Sequence, residues 1–404
     1  MFTQGKYMQS PSHNLSHGSY NKLADNSVVC LMAPTASGKT ALAYELYDTG
    51  RYELISVDSA LIYRDMNIGT AKPTAAELAR YPHHLVNIID PMQSYSVAEF
   101  VTDVARLIDT CHQNGKIPLL VGGTMMYYMA LLEGLSPVPD SDDNIRQQVE
   151  TWRKSDGIHT LYEYLGKVDP LTQQRLKPTD TQRITRAIEV YLQTQTPISE
   201  WQRQPKLALS HNKNQQWHAI TVTPERAWLH QRIAQRLDIM WHDGLIAEVI
   251  GLLERYPLTP NLPSMRCVGY RQVLEYLVQV DHPIFEQPHL DKAQFYASFA
   301  PIEAQAQGQS TQGIDVVATA QQPNPNGTPE ALACYHMQNK ALYATRQLAK
   351  RQYTWLRKLN QLPYDQFGGC SSAESVNTVP QNTMFSTTIL RSCTTMEQAA
   401  DYLR

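Results

Sequence analysis

Residues 33–40 read Ala33-Pro34-Thr35-Ala36-Ser37-Gly38-Lys39-Thr40, a phosphate-cradling pattern that closes on Gly-Lys-Thr. An apolar run, Ser27-Val28-Val29-Cys30-Leu31-Met32, precedes it and has the character of a buried parallel strand. An alanine- and leucine-rich stretch, Ala41-Leu42-Ala43-Tyr44-Glu45-Leu46, follows and predicts a helix. Gly38 then lets backbone N–H groups close around phosphate oxygens at a helix N-terminus, where the dipole favours an anion. Lys39 supplies a point charge, and Thr40 supplies a hydroxyl ligand for magnesium. Such a loop grips a di- or triphosphate. It does not by itself separate a kinase from any other enzyme that holds pyrophosphate.

Further candidates follow in chain order. Asp58-Ser59-Ala60-Leu61 directly follows a second apolar run, and its carboxylate has two chemical uses beside a phosphate loop. It can hold magnesium, or it can take a proton from the group that attacks the activated substrate. Capping the next helix is the plainer role. Gly122-Gly123-Thr124 permits close backbone approach and offers a hydroxyl donor to a leaving-group oxygen. Gln182 with Arg183 and Arg186, three apart on one predicted helix, suits a base edge and phosphates. Arg266-Cys267-Val268-Gly269-Tyr270-Arg271 sets two arginines around a glycine and a tyrosine, a group able to stack on a base. Residues 339–360 carry Lys340, Arg346, Lys350, Arg351, Arg357 and Lys358 without an acid. That run fits contact with a phosphate backbone better than a solvated face of mixed sign.

The elements that must position these groups alternate strand and helix from 27 to 135. Residues 54–57, 85–89 and 117–121 are strands beside the first, with 219–222 rejoining later. The expectation is an α/β fold, a doubly wound parallel sheet of P-loop NTPase type with an inserted, mainly helical domain. Ligands in such sheets sit beyond the carboxyl ends of the strands, where the phosphate loop, Asp58, Asp90 and Thr124 all fall. Residues 27–139 and 200–279 with 335–360 make the core, and 140–199 the helical insertion. Residues 1–26 are expected to be a disordered tail, 280–334 a low-complexity insertion rich in Gln, Ala, Pro and Asn, and 361–404 a weakly structured tail. Six scattered cysteines without Cys-x-x-Cys spacing argue against a zinc site or disulfide framework and fit a reducing cytoplasm. No apolar run spans a membrane, and the polar first 26 residues are not a secretory signal. The net charge of −3 gives no overall reason to expect nucleic acid, so only the local basic runs speak for it.

Taken in order, these motifs resemble the bacterial tRNA dimethylallyltransferase family. The resemblance rests on Pro34 to Thr40, Asp58-Ser59-Ala60-Leu61-Ile62-Tyr63, Asn67-Ile68-Gly69-Thr70-Ala71-Lys72-Pro73, Val121-Gly122-Gly123-Thr124, Gln182-Arg183-Ile184-Thr185-Arg186, the Arg266 to Arg271 segment, and Ala344-Thr345-Arg346-Gln347-Leu348-Ala349-Lys350-Arg351-Gln352. It covers roughly 27–279 and 335–359. Ala33 stands where the family usually has glycine, and Thr179 and Gln195 replace residues usually Asn and Gly. The 280–333 insertion is not part of the resemblance and is expected to have no role in catalysis.

The resemblance implies transfer of a dimethylallyl group from dimethylallyl diphosphate to N6 of the adenosine 3′-adjacent to the anticodon, in tRNAs that read codons beginning with U. Residues 33–40 would hold the diphosphate. Lys39, Mg2+ at Thr40 and Arg146 would neutralise the leaving charge, Thr124 would donate to the bridging oxygen, and Asp58 would accept the N6 proton. Asp58 to Leu61, Gln182 to Arg186 and Arg266 to Arg271 would hold the flipped base and the anticodon stem-loop, flipping costing a few kcal/mol. A cytoplasmic monomer is expected. The competing readings are a P-loop small-molecule kinase, an adenylate isopentenyltransferase acting on free nucleotide, and a tRNA-binding module with a vestigial loop.

Overall fold

The computed structural model describes residues 23–299, 328–362 and 388–404, with the backbone of the strand at 365–366. Among the described residues seven parallel strands form one sheet: β1 (Ser27–Met32), β2 (Tyr52–Val57), β3 (His83–His84), β4 (Ile117–Gly122), β5 (Gln216–Val222), β6 (Asp365–Gln366) and β7 (Thr388–Cys393). Their order across the sheet is β3-β2-β4-β1-β5-β7-β6, so β1 lies at the centre between β4 and β5. Alternation along β1 serves both faces. Val28, Cys30 and Met32 pack with Phe100 and Val104 of the Val97–Gln113 helix, while Val29 and Leu31 pack with Leu42 and Leu46 of the Lys39–Asp48 helix. β1 and β4, and β5 but for its first residue, are buried on both sides, as the middle of a parallel sheet requires.

Two further cores lie outside the sheet. Val149, Leu161, Leu165, Ile184, Ala187 and Ile188 hold the Asp143–Val168 and Thr181–Thr194 helices together as the helical insertion. Gly157 breaks the first of these at φ 80°. The second core joins the Arg226–His242, Leu245–Arg255 and Tyr270–Gln279 helices to the Pro329–Leu359 helix, from Ala333 to Ala349.

Several expectations need correction. The run 85–89 is not a strand, because Leu85 and Asn87 take φ 63° and 57°, and left-handed residues cannot continue a pleat. The edge strand is only His83–His84, although Ile89 bridges to Tyr63. Residues 388–404 are not a weak tail. β7 pairs along its whole length with β5, and the Met396–Leu403 helix packs Ala399, Ala400 and Leu403 beneath the sheet. Residues 283–299 and 328–334 likewise leave the low-complexity segment, forming the Pro283–Glu286 turn, the Lys292–Phe299 helix with buried Phe295, and the start of the long helix. Of the expected tail 1–26, residues 23–26 are ordered, with Leu23 buried against the sheet and its carbonyl accepting from Arg51 at 2.9 Å, while 1–22, like the low-complexity residues 300–327, lie outside the described residues. Gln195 does the work of the expected glycine, closing its helix at φ 56°.

Candidate active site

The phosphate loop turns on two left-handed residues, Ala36 at φ 62° and Gly38 at φ 95°. Glycine takes this conformation freely, whereas Ala36 is strained by roughly 1–2 kcal/mol. That strain is held by neighbours. Arg232 Nε donates to the Ala36 carbonyl at 3.0 Å, Arg236 donates to Thr35 Oγ1 at 3.1 Å, and Gln352 Oε1 accepts from the Thr35 amide at 3.0 Å. Ser37 Oγ is buried without a hydrogen-bond partner. Lys39 opens the helix that follows, so the loop sits at a helix N-terminus.

Burial and the Arg236 charge lower the pKa of Lys39 to about 8, with Asp58 partly opposing them. Arg236 is itself held below the ordinary guanidinium range by burial and by Arg232. Crowded cations with few acids make a pocket that a multivalent anion would stabilise.

Opposite the loop, Asp58 and Thr124 emerge from the carboxyl ends of β2 and β4. Asp58 Oδ1 accepts the Ala60 amide at 2.9 Å, leaving Oδ2 directed to no protein donor among the described contacts. Thr124 Oγ1 accepts the Ser59 amide at 3.0 Å and donates to Ser59 Oγ at 3.3 Å. Gly122 makes this convergence possible, since a Cβ there would stand 1.9 Å from the Val57 carbonyl.

A cavity of about 490 Å³ joins these groups. Thr35, Lys39, Asp58, Ser59, Ala60 and Thr124 line one side, with Arg266, Cys267, Val268, Gly269, Arg236, Arg351 and Gln352 on the other. Burial first, and then Asp58, push the Cys267 thiol up to about 12, so it is no nucleophile. A larger space of about 930 Å³, lined by Arg64, Lys72, Arg232 and Arg236, adjoins the loop from behind Ala36. The 67–69 loop lies between them, clamped by Glu248. Glu248 Oε2 accepts the amides of Asn67 at 2.9 Å and Ile68 at 2.7 Å, and Oε1 accepts the Gly69 amide at 3.1 Å and the Tyr270 hydroxyl at 2.6 Å.

Not every expected residue is here. Arg146 is exposed on the insertion, 3.4 Å from Asp143, and does not line the cavity. Gln182 and Arg183 are also outside it, Arg183 being paired with Asp180 at 3.2 Å. Arg186 is tied to Ser141 Oγ and the Pro139 carbonyl, both at 2.6 Å, and Thr185 Oγ1 bonds its own helix. Ile184 and Tyr270 are wholly buried and serve the cores, so neither can touch RNA directly. Arg271 caps the ring of Phe299 from 4.9 Å. Leu61, Pro34 and Thr40 line neither cavity, Thr40 being exposed on the first turn of the phosphate helix. Sequence reasoning missed Arg232 and Arg236. Their i, i+4 spacing on the Arg226–His242 helix was the available signal, since it puts two guanidinium groups on one face.

Fold and site together define an α/β enzyme of P-loop type whose loop faces a carboxylate and a threonine across one cavity. The family model described as IPP transferase matches residues 61–359. The chain is 67% identical to the tRNA dimethylallyltransferase of Psychrobacter cryohalolentis and 68% identical to that of Psychrobacter arcticus, over 100% of both chains in each case. It also resembles the solved full-length tRNA isopentenylpyrophosphate transferase of Bacillus halodurans, at 25% identity and a TM-score of 0.51 over 93% of each chain. The chain belongs to the IPP transferase family.

Proposed function

We propose that this enzyme transfers the dimethylallyl group of dimethylallyl diphosphate to N6 of the adenosine 3′-adjacent to the anticodon, in tRNAs reading codons that begin with U. One observation carries the reading: Lys39 of the phosphate loop and Asp58 line the same cavity. A diphosphate held by the loop therefore presents its allylic carbon in front of a carboxylate. Lys39 and Arg236 hold the leaving charge, and Thr124 turns its O–H from Ser59 Oγ to the bridging oxygen. As the allylic C–O bond breaks and the N6–C bond forms, the N6 proton passes to Asp58 Oδ2 and diphosphate departs. Adenine N6 is a poor nucleophile, because its lone pair is delocalised into the ring, and a positioned base raises its rate.

Thr40, on the first turn of the phosphate helix, would offer Mg2+ a hydroxyl ligand, and the cavity's one thiol, Cys267, is held protonated and does not compete as a thiolate. When bound, the ion would neutralise charge on the diphosphate. Arg266, Val268 and Gly269 offer the surface against which the flipped base would lie, and Arg351 a charge for its phosphate. Residues 27–139, 200–279 and 335–360 are the catalytic unit in this reading, with 140–199 reaching toward the RNA. The enzyme acts as a cytoplasmic monomer, and no helix among the described residues is long and apolar enough to cross a membrane.

Purified protein given labelled dimethylallyl diphosphate, Mg2+ and unmodified tRNA, without ATP, should label one adenosine. Absence of label alongside ATP turnover would favour the kinase. Label on free AMP in place of tRNA would favour the nucleotide enzyme.

A further inference from the structure

Glu53, His84 and Cys111 meet at the edge of the sheet, and no step of prenyl transfer uses them. Glu53 lies near the amino end of β2, His84 ends β3, and Cys111 lies in the last turn of the Val97–Gln113 helix. One ligand atom from each falls within 4.8 Å of the other two. Glu53 Oε2 is 3.3 Å from Cys111 Sγ and 3.5 Å from His84 Nε2. The second separation exceeds the roughly 2.7–3.2 Å of an N–H···O bond and lies at ion-pair distance. A shared ion fits both separations. Tetrahedral zinc, with Zn–S of about 2.3 Å and Zn–N and Zn–O of about 2.0 Å, separates S from O by about 3.5 Å and N from O by about 3.3 Å. Both observed distances lie within about 0.2 Å of these. The other carboxylate oxygen, Oε1, accepts from Asn114 Nδ2 at 3.3 Å, an outer contact of the kind that orients a ligating carboxylate. Cys111 is buried while His84 is open to solvent, which leaves a side from which water can complete the coordination.

We propose that Glu53, His84 and Cys111 bind one zinc-class divalent cation at the amino ends of the strands, away from the phosphate loop. As the metal–sulfur bond forms, the Cys111 thiol gives its proton to solvent. The ion then ties the two-residue edge strand β3 and the end of a helix to β2. Its role is in holding the fold, separate from magnesium at the diphosphate.

The test uses full-length protein stripped with a chelator, titrated with Co2+ and, by equilibrium dialysis, with Zn2+. One equivalent of Co2+ should bring up a thiolate-to-cobalt charge-transfer band. Cys111→Ser should abolish the band, and His84→Gln should weaken Zn2+ binding about tenfold or more. Labelling of tRNA should be unchanged in both variants. No band in the native chain, or a band that survives Cys111→Ser, would overturn the proposal. If Cys111→Ser fails to fold, His84→Gln decides, since unchanged affinity there refutes the site.

Discussion

Glu248 gathers four donors, three of them consecutive backbone amides of a loop nearly two hundred positions earlier in the chain. Removing its carboxylate by Glu248→Ala leaves the amides of Asn67, Ile68 and Gly69 and the buried Tyr270 hydroxyl without their acceptor. Each such loss costs about 1–3 kcal/mol when water is excluded. Glu248 is half-buried, so water can enter the gap and the low end applies, giving a total of about 4 kcal/mol. Tyr270→Phe removes one donor and keeps the ring packed, so it should cost only about 1 kcal/mol. Urea unfolding of both variants and of the double variant measures these values. The double variant should lose less than the two single losses combined, because the hydroxyl and carboxylate share one bond. A Glu248→Ala loss below about 1 kcal/mol would refute the reasoning, since four simultaneous hydrogen bonds could not then be structural.

Three further outcomes concern the site. Asp58→Ala should lower the turnover rate about 10²–10⁴-fold while tRNA affinity stays near native, as loss of a general base requires. Near-native turnover in a single-turnover assay would remove Asp58 from the proton transfer. Arg236→Ala should raise the KM for dimethylallyl diphosphate about 10–100-fold, the equivalent of about 1.5–3 kcal/mol for a lost charged contact. An unchanged KM would mean that Arg236 only braces Thr35. Lys39 titrates near 8 in the free enzyme because burial and Arg236 disfavour its charge, so it is charged below that pH and loses charge above it. Pyrophosphate, as a competitive inhibitor, should therefore weaken as pH rises from 7 to 9.5, by up to about tenfold per unit. A flat profile would show that Lys39 does not hold the anion.

Local chain geometry explains what was legible beforehand. The phosphate loop, Asp58 and Thr124 each follow an apolar strand directly, and strand ends converge in any parallel sheet. Arg236 and Gln352 were not legible as site residues. They reach Thr35 from helices 201 and 317 positions away, and only tertiary packing brings them there. The reverse error arose at Ile184 and Tyr270, where a motif taken whole carried core residues along with surface ones. β7 escaped notice because six residues in a Ser/Thr-rich tail carry no distinctive pattern, and its pairing partner β5 lies far back in the chain. Leu85 escaped for another reason, since propensity cannot report a bulky residue forced to positive φ by its surroundings.

The distance between β5 and β7 also matters during synthesis. Thr221 and Ser392 are neighbours in the sheet although 171 positions apart, and at 5–20 residues per second a ribosome needs about 9–34 s to travel between them. For that interval β5 has an open side. The residues just after β7 supply a helix that packs against the phosphate helix, with Tyr52 donating to the Leu403 carbonyl at 2.7 Å, Arg404 paired to Glu45 at 2.7 Å, and Met396 lying 3.8 Å from where a Cβ on Gly38 would stand. A nascent chain thus lacks this support for the loop until β7 has been made. A message cut short of Thr388 would yield a protein with every motif named above but with β5 unpaired along one edge, a better substrate for proteases than the full sheet.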